Sequence, residues 1–219
     1  MAGQKTGVRA ASKTPAPKSE KAPKAKAAAS RMSFEEWRDH IANALYHCVR
    51  KQGYAFISLN ALATEAGISA SHLRYYFEGK EAVLEYYVEH VCDRLRAELE
   101  VYQGLPPAEL IDGLAEFHFG PKVSTQRLGV MHEIFALTLH HPRMRQIKAQ
   151  YDVYLRGLLV QIFAKGGKPV GAAMEAEARI GYALLEGFLQ NAVFDKDVKL
   201  AETRALFVRT MRDLAGLKG

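Results

Sequence analysis

Residues 58–80 read SLNALATEAGISASHLRYYFEGK. Ser58 and Ser69 each precede a short run of helix formers, where a serine hydroxyl can cap unpaired backbone N–H groups. Gly67 stands between the runs, where the chain turns and a positive φ is expected. Leu62, Ala66, Ile68, Leu73 and Tyr76 are spaced to point inward when two helices cross steeply. Ala63 is small where the second helix passes close. The stretch predicts a helix-turn-helix, whose second helix lies in the major groove of DNA. Ala70, Ser71, His72, Arg74 and Tyr75 fall outside the inward set and form its polar face. Arginine pairs with the two acceptors of guanine, while serine, histidine and tyrosine reach phosphates or base edges. Ser58, Asn60 and Ser69 at the helix starts, Tyr76 at the end and Lys80 opening the next helix complete the candidate contacts to double-stranded DNA.

Outward from this stretch the chain reads as helix throughout. Upstream, Ser33 and Glu36 have capping-box spacing, and Trp37, Ile41, Ala44, Leu45 and Cys48 recur at helical intervals until Gly53. Downstream, Val83, Leu84, Tyr87, Val88, Val91, Cys92, Leu95, Leu99 and Tyr102 mark a long amphipathic helix over 80–102. Further helices are expected after Pro106-Pro107 to about Gly120, over 125–141, over 143–164, over 171–193 and over 199–215. Gly166-Gly167-Lys168-Pro169 reads as a turn. No alternating run suggests a strand.

Charge divides the chain differently. Residues 1–31 hold eight basic residues (Lys5, Arg9, Lys13, Lys18, Lys21, Lys24, Lys26 and Arg31) against Glu20 alone, a net of +7. The remaining 188 residues hold 22 basic and 23 acidic ones, a net of −1. From Arg9 to Arg31 there is no aromatic and no large aliphatic residue, so the segment is expected to be a disordered basic tail, either solubilising or DNA-binding. Residues 32–80 carry five cations and five anions, which leaves a DNA-binding module without net positive charge. Two cysteines, Cys48 and Cys92, both in apolar helical patterns, fit a reducing cytoplasm better than a disulfide framework. No apolar run is long enough for a membrane span.

The segment IANALYHCVRKQGYAFISLNALATEAGISASHLRYYFEGKEAVL, Ile41–Leu84, resembles the TetR family of bacterial transcriptional regulators. The most specific matches are Ala66-Gly67-Ile68-Ser69, Leu73, Tyr76-Phe77 and Lys80-Glu81. One position departs: the family usually has Tyr where this chain has Arg74. The resemblance implies an all-α fold, with a three-helix DNA-binding domain over 32–80 and a long helix leading into a helical ligand-binding and dimerisation domain over 81–219. It implies a homodimer, a DNA operator, a small-molecule effector that releases a repressor, and no catalytic activity or cofactor. Ile180, Leu184, Leu185, Phe188, Leu189, Leu200, Leu206, Phe207, Met211 and Leu214 are candidates for a four-helix dimer interface.

Polar or aromatic residues on otherwise apolar helix faces are candidate effector contacts: His118, His132, Tyr151, Tyr154, Tyr182 and Glu186. They suggest an apolar cavity with few polar fixing points, of at least roughly 300 Å³ for a drug-sized ligand. A metal sensor built on His118, His132, Glu133, His140 and His141 is disfavoured by spacing. His132-Glu133 lacks a second histidine at position 136, and adjacent His140 and His141 diverge on a helix. Gly166-Gly167-Lys168 has neither the preceding strand nor the following Ser or Thr of a phosphate-binding loop. An architectural DNA-binding protein of the same fold, with no effector, is the alternative.

Overall fold

The structure, a computed structural model, describes residues 32–166 and 171–217. The basic segment 1–31 lies outside the described residues, as do residues 167–170 of the expected turn. Among the described residues there are nine α-helices and no strand.

Helix α1 (Phe34–Gln52) buries Trp37, Ile41, Ala44, Leu45, Cys48 and Val49 on one stripe. Glu35 and Glu36 in its first turn and Arg50 and Lys51 in its last suit the helix dipole. Gly53 follows it at φ +79° and ψ 152°, a backbone conformation that glycine adopts readily, with Glu133 closing on it. A 3-10 turn (Tyr54–Phe56) leads into α2 (Leu59–Glu65) and α3 (Ala70–Tyr76), separated by Gly67 at φ +70°. Helix α4 (Lys80–Glu100) buries Val83, Leu84, Tyr87, Val88, Val91, Cys92 and Leu99, packing on α1 and on a later helix, Pro142–Lys165.

The rest is α5 (Pro107–Phe119), α6 (Thr125–Leu137), α7 (Pro142–Lys165), α8 (Ala172–Phe194) and α9 (Leu200–Ala215). Helix α7 lies against α4, α5 and α8, while α9 closes against α5 and α8. Helix α6 packs on both α8 and α1, so it bridges the helix-turn-helix half and the C-terminal helices. No described helix is long and apolar enough to cross a membrane.

Two expected helices end early. Helix α4 stops at Glu100 rather than 102, and α6 stops at Leu137, followed by a 3-10 turn (Thr138–His140). Pro142 explains the second: it drives His141 out of the helical region, to φ −127° and ψ 102°. The C-terminal apolar residues also divide. Leu185, Phe207 and Met211 are buried in the chain's own core, Phe207 against Phe119 at 5.5 Å, so they do not face a second copy. Ile180 and Leu206 remain exposed.

Candidate nucleic-acid interface and effector cavity

The helix-turn-helix is fixed by short-range bonds. The Ser58 hydroxyl accepts from the Ala61 N–H at 3.1 Å, and the Ser69 hydroxyl accepts from the His72 N–H at 3.1 Å. Leu62, Ala63, Ala66 and Leu73 are buried, and His40 of α1 donates Nε2–H to the Ala66 carbonyl at 2.9 Å. That bond pins the turn to α1. Ser69 and Ser71 share a hydroxyl contact of 2.9 Å.

Ser71, His72, Arg74 and Tyr75 are all exposed on α3, with Tyr75 71% exposed, while Ala70 is half-buried. Ser58, Asn60 and Ser69 are exposed at the starts of α2 and α3. Tyr76 is half-buried instead, its ring 5.1 Å from Phe34 and 6.0 Å from Trp37. Lys80 also turns inward. Its ammonium donates to the Ile57 carbonyl at 3.1 Å and sits over the Tyr54 ring at 4.6 Å. The sequence places Lys80 where it can meet a phosphate; in the structure its ammonium rests on the carbonyl left open ahead of α2.

In the C-terminal half a cavity of about 160 Å³ gathers residues from five helices. Four of the six candidates line it: His118, His132, Tyr151 and Glu186. His118 and Tyr151 are buried, while His132 and Glu186 are solvent-exposed at its rim. Leu95, Phe117, Leu128, Met131, Phe135, Leu155 and Leu189 supply apolar wall, and Arg127 adds a cation. The His118 Nδ1 bonds to the Leu114 carbonyl at 2.9 Å. A carbonyl only accepts, so Nδ1 carries the proton and Nε2 is an acceptor. Burial pushes the His118 imidazole down to about 4, so it is neutral near pH 7.

The other two candidates lie elsewhere. Tyr154 accepts from Gln103 at 3.0 Å and donates to the Arg96 carbonyl at 3.4 Å, tying α7 to the end of α4. Tyr182 is half-buried with its ring 5.3 Å from the Arg156 guanidinium, and burial and the neighbouring Glu186 and Asp152 carboxylates raise its phenol. The cavity is smaller than the size expected from sequence. A larger depression of about 770 Å³ runs between α5 and α9, bounded by the Arg212–Asp112 and Arg204–Glu116 ion pairs. It is more open and contains none of the candidate residues.

The two halves meet at α6. Glu133 accepts the Tyr54 N–H at 2.7 Å, immediately before α2. Its neighbours Met131 and His132 line the cavity. The Tyr87 hydroxyl contacts the Met131 sulfur at 3.9 Å, and Tyr87 stacks on Tyr46 of α1.

Comparison with known proteins places this arrangement. The family described as bacterial regulatory proteins, tetR family, matches residues 41–87. The BetI-type transcriptional repressor C-terminal domain matches residues 107–216, half of the chain. The chain belongs to the TetR family of transcriptional regulators. It is 25% identical over 171 residues to the HTH-type transcriptional regulator PksA of Bacillus subtilis, covering 75% of this chain and 82% of PksA. Two solved structures share the fold. A TetR transcription regulator from Haloarcula marismortui superposes with a TM-score of 0.71 at 20% identity, over 84% of this chain and 98% of that one. Salmonella enterica GusR gives 0.64 at 21% identity, over 86% and 98%.

As a TetR-family regulator the chain binds DNA through its helix-turn-helix and is not an enzyme. Sequence reading missed the residue joining the two halves. Glu133 drew notice only beside His132 as a failed metal motif, and its partner is a backbone amide 79 residues away, which no spacing rule reveals. Leu128, Met131 and Phe135 carried a signal, a helical i, i+3, i+7 stripe, that reads equally well as plain core.

Proposed function

We propose that this TetR-family regulator is a homodimeric repressor whose two α3 helices occupy successive major-groove segments of an operator, and that a compact effector in the α4–α8 cavity releases it. The carrying observation is α6 itself: consecutive residues Met131, His132 and Glu133 face the cavity twice and the Tyr54 amide once. A ligand that displaces Met131 and His132 moves the carboxylate holding the entrance to α2. The effector must bind the released state more tightly than the DNA-bound one for this to shift the balance. An engineered cavity of about 150 Å³ admits benzene, so the space here suits a single-ring ligand. The His118 acceptor and the Glu186 carboxylate favour a hydrogen-bond donor on that ring. Tyr151 and Tyr182 stay neutral, because burial raises both phenols.

Dimerisation is supported by the outer face of α8 and α9. Ile180 is 51% exposed, Phe194 67% and Leu206 39%, with Ala176, Ala183 and Gly187 keeping the same side of α8 narrow. Such a stripe suits close helix packing with a second copy.

The test is a panel of one-ring compounds (phenol, benzylamine, benzoate) read by melting temperature and by DNA release in fluorescence anisotropy. At least one compound is expected to raise the melting temperature and weaken DNA binding, and both effects should vanish in Leu128→Trp, which fills the cavity. A compound that stabilises the protein and leaves DNA binding untouched would remove the effector role. The dimeric DNA-binding protein without an effector would then stand.

A further inference from the structure

We infer that Phe34 is a positioning residue for DNA binding: its ring holds Tyr75 of the recognition helix in one outward pose before DNA arrives. Phe34 opens α1 and is 46% exposed, so little of it serves the core. Its ring stands 5.9 Å from that of Tyr75 at 80°, edge to face, and 5.1 Å from that of Tyr76 at 40°. Tyr75 and Tyr76 meet at 5.0 Å and 86°. Tyr76 lies in turn 6.0 Å from Trp37 and 5.4 Å from His72, and Trp37 reaches His72 at 5.4 Å. These five rings form one continuous cluster, and two of them, His72 and Tyr75, belong to the outward face of α3.

An exposed tyrosine on a helix normally exchanges among staggered rotamers. Tyr75 is 71% exposed, yet its ring is flanked by two others. Edge-to-face contacts favour one orientation of the ring over the rest. Fixing a side chain in advance removes the ordering cost that binding must otherwise meet, worth about two- to tenfold in affinity for one such side chain. Phe34 offers DNA little by itself. A phenyl ring has no donor or acceptor for phosphate, and Glu35 and Glu36 follow it, so the side chains at the start of α1 carry charge of the wrong sign. Trp37 stands in the matching place beside His72, but at 9% exposure it belongs to the core, so Phe34 is the member of the pair whose role can be isolated.

The inference rests on the reading that Tyr75 meets DNA, and the experiment separates the two. The full chain selects its preferred duplex from a random library. That duplex is then titrated with the wild type, Phe34→Leu, Tyr75→Ala and the double variant, read by fluorescence anisotropy. Leucine keeps the apolar bulk and removes the ring. Phe34→Leu is expected to weaken binding about two- to tenfold on its own and to have no further effect beside Tyr75→Ala. Phe34→Tyr, which restores a ring, should bind like the wild type. A general loss of stability would weaken both backgrounds alike, so the double-variant cycle distinguishes it from positioning. Melting temperature and the emission of Trp37, the only tryptophan, follow the fold in parallel. Equal losses from Phe34→Leu in the two backgrounds would overturn the inference, because Phe34 would then act through the fold of α1. Wild-type affinity in Phe34→Leu would overturn it as well. Wild-type affinity in Tyr75→Ala would remove Tyr75 from the interface, and the inference would fall with the reading beneath it.

Discussion

The recognition helix and the effector cavity are built on opposite plans. Helix α3 spans seven residues, buries Leu73 and turns Ser71, His72, Arg74 and Tyr75 outward. The cavity turns His118 and Tyr151 inward, keeps His132 and Glu186 at its rim, and draws these four and Leu95 from five different helices. The first surface is written in one short stretch of chain. The second exists only when α4 to α8 are packed. An outward polar residue keeps its water until DNA replaces it, so it costs the fold little. An inward one must be satisfied or neutral, and its charge state becomes a term in stability.

That contrast can be tested, beginning with the largest effect. His118 is 8% exposed and its imidazole is pushed down to about 4, against an ordinary value near 6.5. Its folded pKa lies below its unfolded one, so the unfolded chain takes up a proton first as pH falls. Stability from this residue is complete above pH 6.5 and is lost between about 6.5 and 4, on the order of 3 kcal/mol in all. Urea unfolding at several pH values should show this loss, and His118→Gln should remove it. An unchanged pH profile in the variant would mean that His118 is not held neutral by burial.

Arg74 should behave in the opposite way. Arg74→Ala is expected to weaken specific DNA binding by about 1–3 kcal/mol if the side chain reads a base. Unfolding should shift by less than about 0.5 kcal/mol, as for other exposed positions. Titration with DNA alongside thermal melting separates the two readouts. A collapsed melting temperature would make Arg74 structural and dissolve the contrast.

The smallest effect tests the join. Glu133→Ala removes the acceptor of the Tyr54 N–H, at a cost of about 1 kcal/mol. It should also lower DNA affinity, because the turn at Gly53–Tyr54 leads into α2. Hydrogen exchange at the Tyr54 amide is the check. An amide as protected as in the wild type would show that another group holds it.

Much of this molecule was legible beforehand. The helix-turn-helix depends on capping serines, one left-handed glycine and an inward set within 19 residues, all local chemistry. Helix existence followed from 3.6-residue periodicity, and Pro142 marked a break, though the 3-10 turn ahead of it was not foreseen. Tyr76 and Lys80 are both less exposed than the sequence suggests, for one reason. Each carries a polar tip on a body that can be buried, and only the neighbours Phe34, Trp37, Tyr54 and the Ile57 carbonyl settle which end wins.

Periodicity, capping chemistry and composition by themselves determined an all-helical chain with a helix-turn-helix near its start and charge concentrated ahead of it, because those properties reside in neighbouring residues. Tertiary structure alone decided which of His118, His132, Tyr151, Tyr154, Tyr182 and Glu186 share a cavity. It alone showed that Leu185, Phe207 and Met211 close the chain's own core, and that Glu133 reaches back to Tyr54. The physical reason is that a helix's period fixes the spacing of its buried stripe. Which partner covers that stripe is set by how distant helices pack, and nothing in one helix's sequence encodes the shape of another's surface.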